Sequence, residues 1–201
     1  MNTTLNPEHF KPGQFELFFG PMYSGKSEAL AYRFKPVLHL PECSYLFFRP
    51  TSDNRPERTC PFDATFIEDS NPERILKIAL DSRTMVVGID EIEFFSEGIV
   101  HAIEELLSSK VNVLAAGLDL DFRGEYFGSM ARLISIADHV TKCRQAICKY
   151  NDCGRTATRT QRLINGVPAH YLDQVKSTEG NRPEETYEPR CVDHHFIPGR
   201  P

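Results

Sequence analysis

The 201-residue sequence contains no apolar segment that approaches the roughly 20 residues needed to cross a bilayer. Residues 1–14 are polar and include two prolines, so they also lack the apolar run of a secretory signal. We expect these residues to form a flexible leader and the protein to act in the cytoplasm. In a reducing compartment its six cysteines would serve as thiols or metal ligands instead of forming disulfides.

The sequence also lacks an excess of basic charge, with 23 Lys and Arg residues against 28 Asp and Glu residues. Proteins that bind along DNA or RNA usually carry a basic surface. The net charge of -5 therefore favours a small-molecule substrate, with no nucleic-acid polymer and no membrane as partner. The length suits one ordinary domain with a small appendage.

Short apolar runs alternate with helical patterns over the first two thirds of the chain, which predicts an α/β fold with a parallel sheet. The pattern changes near residue 142, after which turn residues are frequent and apolar runs are few. We therefore predict a nucleotide-binding domain at 15–142 and a smaller domain at 143–201. The predicted strands are 15–19, 45–48, 85–89 and 111–116, the predicted helices are 27–38, 71–80, 99–107 and 131–137, and 51–65 is predicted to be a loop.

One eight-residue segment matches the phosphate-loop pattern G-x-x-x-x-G-K-[ST], between a predicted strand and a predicted helix. The glycines allow backbone N–H groups to surround phosphate oxygens, and the following helix presents its positive end to the same anion. Lys26 would reach the β- and γ-phosphates, and Ser27 would bind magnesium. The predicted ATP-binding residues here are Gly20, Pro21, Met22, Tyr23, Ser24, Gly25, Lys26 and Ser27.

Two carboxylates follow the third predicted strand, at the sheet edge where parallel α/β proteins bind ligands. Asp90 is the candidate for holding magnesium through water, and Glu91 is the candidate general base that accepts a proton from an attacking hydroxyl. The alternative interpretation is that the pair only caps the helix that follows.

Four residues in the C-terminal region have the spacing of a zinc site. Four protein ligands would fill a tetrahedron, which predicts structural and not catalytic zinc. His195 is an alternative fourth ligand, whereas Cys43, Cys60 and Cys143 are expected to be free thiols. The predicted ligands are Cys148, Cys153, Cys191 and His194.

Together these motifs resemble the type II thymidine kinase family over residues 15–195. The resemblance rests on the phosphate loop and on segments 90–95, 117–124, 159–163 and 187–191, with His194. It implies a parallel-sheet, ATPase-like phosphate-loop domain with a small zinc-binding lid. It also implies transfer of the γ-phosphate of ATP to the 5′-hydroxyl of thymidine, a homotetramer, and feedback inhibition by the triphosphate end product, dTTP.

The resemblance further implies individual residue roles. Glu91 matches the catalytic base and Asp90 the magnesium-side aspartate. The ATP site would also include Asp53, Asn54, Arg55 and Glu93. The nucleoside pocket would be lined by Met22, Phe94, Leu118, Phe122, Phe127 and Tyr187, with Thr160 as a polar contact to the base.

Two departures from the family pattern bear on function. Glu93 stands where the family usually has glutamine, which adds a carboxylate beside the predicted ATP and magnesium positions. Residues 170–185 contain no clear copy of the family's stretch that clamps the base, and the sequence leaves open which of residues 174–182 replace it. A kinase for another or a 5-modified pyrimidine deoxynucleoside is therefore an alternative, and so are a DNA-stimulated ATPase and a nucleotide sensor without activity.

Overall fold

The larger part of the fold is a six-stranded sheet in which all strand pairs are parallel. The computed structural model describes residues 11–39, 44–53, 62–175 and 185–201. The spatial order of the strands is β3-β2-β4-β5-β1-β6. The strands are β1 (Phe15–Phe19), β2 (Tyr45–Pro50), β3 (Thr65–Ile67), β4 (Val86–Ile89), β5 (Asn112–Gly117) and β6 (His139–Lys142).

Helices cover both faces of this sheet, as parallel sheets require. Successive residues of β5 alternate between two cores: Val113 packs with the helices of one face and Leu114 with the helix of the other. The first face carries α2 (Glu73–Asp81), α3 (Gly98–Ser108) and α4 (Met130–Ile136), and the second carries α1 (Lys26–Phe34). The predicted parallel α/β fold is confirmed.

The boundaries of the predicted elements agree with the structure to within a few residues, but both edge strands of this sheet were missed, as were the strands of the C-terminal region. Thr65 was predicted to lie in a loop, yet it begins β3. β6 is exposed along its whole length, and most of β3 is exposed as well. A short strand at the edge of a sheet need not be apolar, so neither strand leaves an apolar run in the sequence.

A second sheet lies in the C-terminal region and is antiparallel, in the order β8-β7-β9. It comprises β7 (Arg159–Ile164), β8 (Val167–Pro168) and β9 (Glu185–Arg190). A two-residue turn joins β7 to β8, and both of its residues, Asn165 and Gly166, have positive φ. Asn-Gly is the favoured pair for such a turn because both residues tolerate this conformation. None of the helices within the described ranges has the length and apolar character needed to cross a membrane.

Candidate active site

The predicted phosphate loop connects β1 to α1, and its glycines are needed where other groups approach closely. A Cβ atom on Gly20 would lie 2.7 Å from the carbonyl oxygen of Cys143. Gly25 has a φ of +85°, and a Cβ atom there would lie 2.5 Å from Oε1 of Gln145. Both positions therefore exclude larger residues. Gln145 was not predicted to contribute, and it brings the start of the C-terminal region against the loop.

Lys26 is held within the phosphate loop although its side chain is long and charged. Its Nζ donates a hydrogen bond to the carbonyl oxygen of Pro21 at 3.1 Å, and the residue is only 6% exposed. It is also the first residue of α1, whose positive N-terminal end faces the loop. The ammonium group and the helix end therefore act on the same anion-binding region.

The two predicted magnesium ligands are in direct contact across 63 residues of sequence. Ser27 Oγ donates a hydrogen bond to Asp90 Oδ1 at 3.1 Å. The backbone N–H of Glu91 donates to the same carboxylate oxygen at 3.0 Å. A hydroxyl and a carboxylate are oxygen ligands of the type that magnesium prefers. The arrangement therefore fits a magnesium ion bound beside the phosphate loop.

Glu91, the candidate base, lies at the carboxyl end of β4 in a backbone conformation that is uncommon for its residue type. Its φ is +56° and its side chain is buried. Such conformations cluster at functional sites, where the surrounding structure holds them. Glu91 precedes a short 3-10 helix (Ile92–Phe94), but its side chain makes no capping hydrogen bond. The geometry therefore gives no support to a simple capping role.

Asp53 lies just after β2 and is paired with Arg49. Its Oδ2 accepts hydrogen bonds from Nη2 of Arg49 at 2.5 Å and from Nε at 3.1 Å. Both residues are buried. The predicted partners Asn54 and Arg55 lie outside the described residues, as do Cys43 and Cys60.

The predicted nucleoside residues are divided between two places. Near the end of β5, Phe94 and Phe127 pack edge to face with ring centroids 5.3 Å apart, and the backbone N–H of Phe127 bonds the carbonyl oxygen of Asp119. Leu118 is buried at the same end of the strand. Phe122 instead packs against Ala169 and other apolar residues of the C-terminal region.

Met22 and Thr160 connect the phosphate loop to the second sheet. The backbone N–H of Met22 donates a hydrogen bond to Thr160 Oγ1 at 3.0 Å. Thr160 is buried. Its oxygen accepts this bond, which leaves the hydroxyl hydrogen and a second lone pair for a contact with a base.

The four predicted zinc ligands come together in one cluster. Their ligand atoms all lie within 4.8 Å of one another. Sγ of Cys153 and Sγ of Cys191 are 4.0 Å apart, close to the ~3.8 Å that a tetrahedral site with Zn–S bonds of about 2.3 Å implies. Nδ1 of His194 is 3.4 Å from Sγ of Cys191 and 3.6 Å from Sγ of Cys148. The donor set and its spacing therefore fit a metal ion.

His195, the alternative ligand, is turned away from this cluster. Its Nε2 bonds the carbonyl oxygen of Phe122 at 2.8 Å. Burial lowers the pKa of His195, which favours the neutral ring. The geometry therefore favours His194 over His195 as the fourth ligand, and His195 instead joins the C-terminal segment to the loop that carries Phe122.

Arg155 supports the thiolate form of one ligand. Its Nε donates to Sγ of Cys153 at 3.3 Å, and this hydrogen bond lowers the pKa of Cys153 to about 6. Nη1 of Arg155 pairs with Oδ2 of Asp193 at 2.5 Å. Burial raises the pKa of Cys143, which lies outside the cluster and is a free thiol. The bond from Arg155 therefore favours the thiolate of Cys153, which is the form that binds metal, whereas burial favours the neutral thiol of Cys143.

Comparison with known proteins agrees with this geometry. The family model for thymidine kinase matches residues 13–195. The chain belongs to the thymidine kinase family. It is also 44% identical over 195 residues to a thymidine kinase from Coprothermobacter proteolyticus, a match that covers 94% of this chain and 93% of that protein. Membership of the thymidine kinase family identifies an ATP-dependent kinase, which disfavours the sensor and the DNA-stimulated ATPase.

In this member of the thymidine kinase family, a hydrogen-bond network around Arg162 was not predicted from the sequence. The buried guanidinium of Arg162 donates to Oε2 of Glu185 at 3.0 Å and to the carbonyl oxygen of Gln174 at 2.6 Å. It also lies 5.4 Å from the centre of the Phe122 ring. The hydroxyl of Tyr187 donates to Oε1 of the same glutamate. The sequence signal for Arg162 was its place in the family motif at 159–163. Only the pairing of β7 with β9 shows that Arg162 lies beside Tyr187.

Proposed function

We propose that the protein transfers the γ-phosphoryl group of ATP to the 5′-hydroxyl of thymidine. The observation that carries this proposal is the hydrogen bond from Ser27 to Asp90, in a chain of the thymidine kinase family. It puts the candidate magnesium ligands together at the phosphate loop, with Glu91 next in sequence. The named C. proteolyticus relative supports thymidine as substrate.

The phosphate loop would bind and neutralise the triphosphate. Its backbone N–H groups and the N-terminal end of α1 favour an anion at this position. Lys26 would exchange its bond to the Pro21 carbonyl for contacts with the β- and γ-phosphates. The Ser27 hydroxyl and the Asp90 carboxylate would hold magnesium, which neutralises phosphate charge when bound.

Glu91 would accept the proton of the 5′-hydroxyl as that oxygen attacks phosphorus. Its position one residue after Asp90 would keep the base near the phosphates, where the attacking hydroxyl must lie. Most of the rate enhancement would come from positioning and charge neutralisation, with proton transfer as a further contribution.

The nucleoside would lie between the aromatic pair Phe94 and Phe127 and the C-terminal region that carries Tyr187. Apolar and aromatic walls with few polar anchors suit a flat base. Closure of this region over the site would exclude water, which otherwise competes with the nucleoside as phosphoryl acceptor.

A structural zinc ion would hold this region together. Cys148, Cys153, Cys191 and His194 would supply all four ligands and leave no open position for substrate. The ion would join residues 148–153, which precede β7, to residues 191–194, which follow β9.

The remaining features belong to the same proposal. Residues 15–142 would form the nucleotide-binding domain and 143–201 the lid; most of the predicted leader at 1–14 lies outside the described residues. The active form would be a homotetramer inhibited by dTTP, and a cytoplasmic location would keep the thiol ligands reduced. Light scattering and inhibition kinetics test the assembly and the feedback inhibition.

The first test is ADP release from ATP and magnesium with a panel of nucleosides. The panel contains thymidine, deoxyuridine, 5-substituted deoxyuridines, deoxycytidine and purine deoxynucleosides, with DNA and no-nucleoside controls. We expect the highest kcat/KM with thymidine. Preference for another pyrimidine would keep the mechanism and change the substrate, whereas ADP release that depends only on DNA would overturn the proposal.

A further inference from the structure

Glu93 has a buried side chain, and two glycines give it room: one beside its carboxyl group and one beside its backbone carbonyl oxygen. It lies in the 3-10 helix two residues after the candidate base, and it is 1% exposed. A Cβ atom on Gly117, at the end of β5, would lie 2.6 Å from its Oε2. A Cβ atom on Gly128, which has a φ of +50°, would lie 2.6 Å from its backbone carbonyl oxygen. A side chain at position 117 would therefore collide with the carboxyl group, and one at position 128 would collide with the backbone of Glu93.

The carboxyl group of Glu93 has no hydrogen-bond partner of good geometry. Both of its oxygens are buried and unpaired within the part of the chain that the structure describes. Moving an ionised carboxylate into such a place without partners costs far more than moving a neutral acid. An uncharged carboxylic acid is therefore the form that this environment favours.

Burial and the neighbouring charges together also favour the protonated form of Glu93. Burial raises the pKa of Glu93 well above its ordinary value, and the negative charge of Glu91 raises it further. Lys26 and the backbone N–H groups of Glu93 and Leu118 lower it, but by less. Ile92 and Met130, which lie at the same glycine as the Glu93 carboxyl, carry no charge.

We propose that Glu93 is a positioning residue that carries a proton during catalysis. As an uncharged acid, Glu93 does not compete with the phosphates for the Lys26 ammonium group. Glu91 is then the glutamate of this segment that carries the negative charge. An ionised Glu93 would add a negative charge beside Glu91 and attract Lys26 away from the triphosphate. Binding of ATP with magnesium would therefore weaken as Glu93 loses its proton at alkaline pH. This inference rests on the proposed roles of Lys26 and Glu91.

Stability measured against pH tests the protonation without any assay of activity. If the pKa of Glu93 is higher in the folded state than in the unfolded state, then above about pH 5 the unfolded chain has lost this proton while the folded protein still holds it. The folded state then loses stability as pH rises, up to the folded-state pKa. Glu93→Gln removes the ionisation, so the Tm of the variant minus that of the wild type should grow between about pH 5 and pH 9.

Glu97→Gln is the matched control because Glu97 is an exposed carboxylate four residues away. We expect its Tm difference from wild type to show no such growth with pH. A constant Tm difference for Glu93→Gln would overturn the proposal. If Glu93→Gln does not fold, carbon-13 carboxyl spectra of the wild type decide: one glutamate should stay protonated at about pH 7. A spectrum in which every glutamate is ionised there would contradict it.

Steady-state kinetics then test the functional part. In the wild type, kcat/KM for ATP should fall from about pH 7 to about pH 9 by roughly tenfold more than in Glu93→Gln. A requirement of Glu93→Gln for about tenfold more magnesium at all pH values would instead show an ionised magnesium ligand. No turnover by the wild type with any nucleoside would reject the proposed function, whereas the stability and carboxyl measurements would still decide the protonation state.

Discussion

The backbone N–H of Met22 and the hydroxyl oxygen of Thr160 are hydrogen-bonded at 3.0 Å across 138 residues of sequence. Met22 belongs to the phosphate loop and Thr160 to β7 of the antiparallel sheet. The backbone N–H of Gln145 reinforces the junction by donating to the carbonyl oxygen of Ser24 at 3.3 Å. The position of the second sheet is therefore coupled to the conformation of the loop that would bind ATP.

Removal of the Thr160 hydroxyl should weaken this coupling. Thr160→Val keeps the side-chain shape but leaves the Met22 N–H without its acceptor, so we expect a loss of about 1–3 kcal/mol in the free energy of unfolding. Thr160→Ser keeps the acceptor and should lose less. Urea denaturation measures both. Equal stability of the valine variant and the wild type would mean that the bond does not form in solution.

Loss of the candidate base should slow the chemical step and leave binding largely intact. For Glu91→Gln we expect kcat to fall by about 10²–10⁴-fold, because amide replaces the proton acceptor. Dissociation constants for thymidine and ATP, measured by calorimetry, should change little. Glu97→Gln, on the exposed side of the same segment, should keep the wild-type rate. A rate near wild type for Glu91→Gln would remove Glu91 from this role.

Asp90 should determine the magnesium requirement. Asp90→Asn removes a negative charge next to Ser27, so the magnesium concentration at half-maximal rate should rise by about tenfold. Titration of activity with magnesium at saturating ATP measures this. Ser27→Ala should shift the same titration in the same direction, since both oxygens would hold the ion. An unchanged titration in both variants would place magnesium elsewhere.

Zinc content should depend on the four clustered ligands and not on other cysteines. For Cys191→Ser we expect the bound zinc, measured by mass spectrometry of the purified protein, to fall from about one ion per chain to a small fraction. Cys143→Ser should retain its zinc. In Cys191→Ser the affinity for thymidine should fall more than the affinity for ATP, because the lid would form the nucleoside side of the site. If Cys191→Ser kept the wild-type affinity for both thymidine and ATP, that result would contradict the role of the lid.

Much of the nucleotide-binding half could be predicted from local sequence. The phosphate loop is a contiguous motif whose glycines, lysine and serine each have a stereochemical reason to be there, so its place between β1 and α1 followed from the pattern. The interior strands β4 and β5 are buried on both faces and leave apolar runs in the sequence. The four residues of the Cys and His cluster were found for a similar reason, because metal coordination requires particular residue types at short spacings.

The sequence by itself thus determined the interior strands and helices of the parallel sheet, the phosphate-loop motif and the set of candidate metal ligands, since each depends on neighbours within a few residues. Only the tertiary structure decided which distant groups meet. Examples are Met22 with Thr160, Arg162 with Glu185, and the burial of Glu93 against Gly117. The physical reason is that hydrogen-bond pairing and desolvation depend on atoms brought together by folding, and no local pattern records which atoms those are.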